Sequence, residues 1–127
     1  MTTLFLNLYR TNEKTFQFDQ NFVINSIAVV KIDGILERYG SEHSESFVYL
    51  SCNLVCDSYI DERQSNIICK FKSHKKNKTN IEFEPVNLIY HKTMSNCNNT
   101  LTLKLVDEKN NLIDFDKCDL HFELHVK

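Results

Sequence analysis

Apolar and polar side chains alternate with a period of two through most of the chain, and no stretch sustains the i, i+3, i+4, i+7 stripe of an amphipathic helix. Leu4, Leu6 and Leu8 alternate with Phe5, Asn7 and Tyr9, which predicts a first strand with one aliphatic face. A short strand is expected over 15–18 and a long one over 22–33, with Phe22, Ile24, Ser26, Ala28, Val30 and Ile32 on one face and Gly34 as its end. The polar run 37–45 reads as a surface loop with room for a short helical turn before Gly40. Over 46–56 the pattern places Val48, Leu50, Cys52, Leu54 and Cys56 on one side. After a loop at 57–65, strands are expected over 66–72, 79–84 and 86–91, the last two separated by Pro85. The chain closes with 101–106, 112–115 and 119–126, where Leu120, Phe122, Leu124 and Val126 point inward.

About eight to ten short strands in a chain of this size match an all-β fold, a single antiparallel β-sandwich of jelly-roll or Greek-key type. A closed up-and-down barrel is the second choice. The 127 residues suit one domain, 1–127. With 42% hydrophobic and 25% charged residues the chain can bury a core, and a formal charge of -2 argues against steering to nucleic acid or membrane by overall charge. Apolar runs such as 27–30 fall far short of the roughly 18 residues of a membrane-spanning helix. The first ten residues lack the basic and apolar segments of a secretory signal, so a reducing compartment is expected. In that setting the five irregularly spaced cysteines read as free thiols, with Cys52 and Cys56 buried in the aliphatic row. With two glycines and one proline, turns fall to Asn, Asp and Ser.

Several strands are apolar on the side away from the core as well. Phe5, Tyr9, Ile27, Val29, Phe47 and Tyr49 are therefore candidates for a subunit interface, the competing expectation being that long loops fold back over them. The run 70–78 concentrates Lys70, Lys72, Lys75, Lys76 and Lys78, which could contact phosphates. It has no arginine and no interleaved aromatics, so a solvated hairpin tip is the favoured reading. His121, Glu123 and His125 share a strand face, yet residues two apart on a strand lie roughly 6.5 to 7 Å apart, too far for a compact tetrahedral metal site without help. Neither a nucleophile elbow nor a phosphate-binding glycine loop is present. No metal, no cofactor and no enzymatic activity are expected.

The runs VYLSCNLVCDSYI at 48–60, SNII at 65–68 and FEPVNLIY at 83–90 resemble the single jelly-roll minor capsid, or penton, proteins of Polinton-like viruses, virophages and adintoviruses. The ending LTLKLVDEKNNLIDF at 101–115, followed by LHFEL at 120–124, is similar to that family's closing hairpin, with asparagine where glycine is usual. The similarity spans 46–126. It implies a structural subunit that forms a pentamer at the vertex of an icosahedral shell and co-assembles with a double jelly-roll major capsid protein. The implied location is the virion, assembled inside the host cell, in cytoplasm or nucleus, and not secreted. The rival expectation is a carbohydrate- or peptide-binding sandwich using loops 37–45 and 57–65, with Tyr39 and Tyr59 as contact residues. An enzyme would need a pocket that joins His91, His121 or His125 to an acid or nucleophile.

Overall fold

A computed structural model describes residues 2–18, 23–39, 45–74, 78–94 and 100–127. Eleven strands lie among them: β1 (Thr2–Tyr9), β2 (Glu13–Gln17), β3 (Ser26–Arg38), β4 (Glu45–Cys52), β5 (Ser58–Ile60), β6 (Arg63–Ser65), β7 (Ile67–His74), β8 (Lys78–Phe83), β9 (His91–Lys92), β10 (Thr100–Val106) and β11 (Phe115–Val126). No helix occurs among the described residues, so none there is long and apolar enough to cross a membrane. The first sheet runs β1-β11-β3-β8, with β9 also on β3, and the second runs β2-β10-β4-β7, while β5 and β6 form a separate hairpin. All ladders are antiparallel.

The pairing is nested: β1 with β11, β2 with β10, β3 with β8, and β4 with β7. One long hairpin rolled into two layers produces this order, which is that of a jelly roll. The antiparallel sandwich expected from the alternation is therefore the fold that forms.

Period two explains the packing directly. Leu101, Leu103 and Leu105 of β10 and Leu120, Phe122, Leu124 and Val126 of β11 turn into one buried cluster with Leu6 and Leu8 of β1 and Val48, Leu50 and Cys52 of β4. Each large aliphatic or aromatic side chain removed from water in this way contributes about 1.5 to 3 kcal/mol. β10 and β11 lie inside their sheets, which is why their inward rows are the most completely covered.

The structure corrects the alternation where an extra residue intervenes. Lys31 pairs with Glu123 and Val29 with Leu124, so Val30 is an additional residue that bulges from β3. A one-residue slip exchanges the two faces of a strand. Beyond the bulge Ile27 and Val29, at 0% and 5% exposure, join the core cluster, whereas Ala28 is buried outside that cluster and Val30 is only partly buried. Ile27 and Val29 are thus core residues and leave the set of candidate interface residues.

Gly34 does not end its strand, since β3 continues to Arg38 and absorbs the start of the loop expected at 37–45. It pairs with Leu120 at φ +133°, and a Cβ there would lie 2.0 Å from the Asp119 carbonyl oxygen, so only glycine fits. The helical turn expected before Gly40 is therefore replaced by the end of β3, and residues 40–44 of that loop lie outside the described residues.

The strand expected over 46–56 stops at Cys52, and Cys56 follows a turn at Asn53 and Leu54 and is only partly buried. The loop expected at 57–65 is mostly the β5–β6 hairpin, tied by Ser58 Oγ to the Ser65 hydroxyl and to the Ile67 carbonyl oxygen. The strand expected over 86–91 reduces to β9, and the one over 112–115 to a bridge at Leu112 and the first residue of β11.

Candidate assembly surfaces

Each sheet has an outer face whose composition follows from its register. On the first sheet, Phe5 lies beside Glu123 and then Lys31, and the next row is Asn7, His121, Asp33 and Glu82. A third row holds Tyr9, Asp119, Ile35 and Asn80. Carboxylates dominate these rows, with Asp33, Glu82, Asp119 and Glu123 set against Lys31, and a fourth row at the end of the sheet sets Lys117 and Lys78 beside Glu37. Phe5 stands among them 75% exposed, and Tyr9 and Ile35 are exposed as well.

The imidazole of His121 belongs to this polar face. Its Nδ1 is 2.8 Å from Asn7 Oδ1 and its Nε2 is 3.5 Å from Asp119 Oδ1. Those neighbours engage it in place of a shared site with Glu123 and His125, and among the described residues no three His, Cys, Asp or Glu side chains converge as a metal site. A groove of about 540 Å³ beside Tyr9 and Arg10 is lined also by Ile35, Phe115 and Cys118. The Arg10 guanidinium lies over the Tyr9 ring at 5.1 Å.

The second sheet presents the opposite sign. Phe47 pairs with Lys72, Tyr49 with Lys70, and Ser51 with Lys104, which lies 3.6 Å from Glu13. The Lys70 ammonium lies 4.3 Å from the Phe47 ring centroid and that of Lys72 5.7 Å, while the Phe47 and Tyr49 rings are 6.5 Å apart. Cation–π contacts of this kind contribute about 0.5 to 1 kcal/mol when exposed. Phe47 remains 37% exposed beneath the two lysines. The lysine run carries no interleaved exposed aromatics of its own, and its aromatic partners come from a strand more than twenty residues away.

The lysine run itself is divided between the sheets. β7 belongs to the second sheet and β8 to the first, so 70–78 is a crossover between layers and not a hairpin tip. Lys78 stands on β8, where a hydrogen bond and like charge from Lys117 push its ammonium below the ordinary lysine range. Lys75 and Lys76 lie outside the described residues.

The remaining candidates have structural work. His91 Nδ1 is 2.9 Å from Asp57 Oδ1 and its Nε2 3.1 Å from the Ile68 carbonyl oxygen, while the Lys92 amide donates to Asp57 Oδ2 at 3.1 Å. Thr93 Oγ1 donates to the Ile24 carbonyl at 2.6 Å, and the Met94 amide to that of Leu54 at 2.8 Å. These bonds stitch β9 to the loops around it. The segment before β9 leaves Val86 98% exposed, a surface residue that alternation had placed in a strand.

Of the two loops in the ligand-binding expectation, the second lines a shallow cleft of about 130 Å³ with Glu108, Lys109 and Asn110. Tyr39 and Tyr59 are both exposed. Burial pushes the Cys52 thiol up to about 11 and, helped by Asp119, that of Cys118 up to about 12, and Cys69 is raised for the same reason. The four described cysteines are free, and Cys97 lies outside the described residues.

No protein-family model, no curated protein and no solved structure matches the chain.

Proposed function

We propose that the chain is a structural subunit that assembles with copies of itself, in the manner of a minor capsid protein at the vertex of an icosahedral shell. The observation that carries this reading is the pair of outer faces: one mainly acidic with Phe5 and Tyr9, the other basic with Phe47 and Tyr49. Aromatic anchors within a charged rim are the composition of a protein interface. Faces of opposite sign on one subunit favour a head-to-tail contact, and such a contact closes into a ring when its rotation allows. The jelly-roll order supports the reading, because capsid domains use it, although lectin domains use it too. The number five and the partner, a double jelly-roll major capsid protein, come from the sequence resemblance, as does the virion as location.

Charge exchange tests the contact. Lys70→Glu with Lys72→Glu should abolish the ring while the protein stays folded, and so should Asp33→Lys with Glu123→Lys. All four substitutions together should restore the ring, read by native mass spectrometry. Rings that persist in both double variants would place the contact elsewhere, and a wild-type protein that stays monomeric would remove the reading.

A further inference from the structure

Among the described residues the margins of the two main sheets are β1 on one side of the first and β8 with β9 on the other, and β2 and β7 in the second. An unpaired margin is a template for strand addition, and charged side chains or proline along it are the usual protection. β8 carries Lys78 and Glu82 and runs on to Pro85, β7 carries Lys70 and Lys72, and β2 carries Glu13 and Lys14. β1 runs for eight residues without a charge, a proline or a glycine.

The backbone of β1 has a definite polarity at this margin. The Arg10 amide donates to the Cys118 carbonyl at 2.8 Å, in register with the pairing of Tyr9 and Asp119. Bonded pairs alternate along an antiparallel ladder, so the even residues of β1 bond to β11. The N–H and C=O groups of Thr3, Phe5, Asn7 and Tyr9 therefore point away from the sheet.

We propose that this margin pairs antiparallel with β1 of a second copy, joining the two first sheets across a twofold axis. Self-complementarity selects that occupant. A strand that meets its own copy presents each side chain to the same sequence in reverse, so the lysines of β7 would face lysines, whereas β1 has no charge to repel. Odd residues meet odd residues, which sets Phe5 and Tyr9 of both copies on one continuous outer face and Leu4, Leu6 and Leu8 on one continuous inner face. The edge contact is separate from the ring contact, which uses sheet faces.

Amide hydrogen exchange followed by NMR over a dilution series tests the pairing without any substitution. The Thr3, Phe5, Asn7 and Tyr9 amides should exchange at least about tenfold more slowly in concentrated than in dilute protein. Those of Leu4, Leu6 and Leu8 should stay protected throughout. Thr3→Pro with Asn7→Pro removes two outward donors and no bond to β11, so it should abolish the concentration dependence while the even amides report an intact fold. Odd amides that exchange equally fast at every concentration would overturn the proposal. If oligomers form in that case, the face contact stands alone; if the protein is monomeric throughout, both contacts fall.

Discussion

β1 and β7 are both eight-residue margins of the same sandwich, yet they solve the problem of an open edge in opposite ways. β7 lines its outer side with Lys70 and Lys72, which also cover the Phe47 ring and give the second sheet its basic face. β1 leaves Phe5, Asn7 and Tyr9 beside backbone groups that no strand among the described residues pairs with, and it has no charge along its length. A strand that is closed to addition can still offer a charged face to a partner, and an uncharged one offers both its backbone and its aromatics. The overall charge of -2 conceals this difference, because it averages an acidic face against a basic one.

The largest effect should come from beneath both margins. Phe122→Ala empties the layer between the sheets and should cost about 3 to 5 kcal/mol in urea denaturation, with the two edges lost together. Exposure of one edge before the other would show separate folding units. Gly34→Ala is expected to be next, at about 1 to 3 kcal/mol, since φ +133° and the Asp119 carbonyl leave no room for a Cβ. A thermal midpoint unchanged by that substitution would mean that β3 and β11 separate there without penalty.

Substitutions confined to one margin sharpen the contrast. Lys70→Glu with Lys72→Glu should change stability by no more than about 1 kcal/mol while removing the ring contact, and it should leave concentration-dependent protection on β1 intact. Loss of both signals would merge the two surfaces into one.

The smallest expected effect is alkaline. The Cys52 and Cys118 thiols titrate above 9.0 in the fold, at about 11 and about 12, so the unfolded chain releases their protons first. Stability from the neutral thiols is complete below pH 9.0 and declines as pH rises through the folded values. Denaturation midpoints should fall over that range, and less steeply in Cys118→Ala, whose separate cavity cost is independent of pH. An equal slope in the variant would assign the alkaline loss to other groups.

The fold was largely legible because alternation reports which side chain faces which way, and Leu101 to Leu105 or Leu120 to Val126 admit only one inward row. Alternation cannot register an inserted residue, however, so the bulge at Val30 reversed the faces of Ile27 and Val29. Gly34 departs from the expected strand end for a related reason: a glycine that suits a turn also suits a close approach of two strands, and here it serves the latter. Of the candidate surfaces, Phe5, Tyr9, Phe47 and Tyr49 could be read from one strand at a time. The pairing of Phe47 with Lys70 and Lys72, and the separation of Lys78 onto the other sheet, depend on strand order, which no local pattern carries.

Sedimentation velocity of the intact protein across a wide concentration range tests self-assembly most directly. A discrete oligomer built from 15.0 kDa subunits, growing at the expense of monomer as concentration rises, is the expected result. A single 15.0 kDa species at every concentration would contradict it.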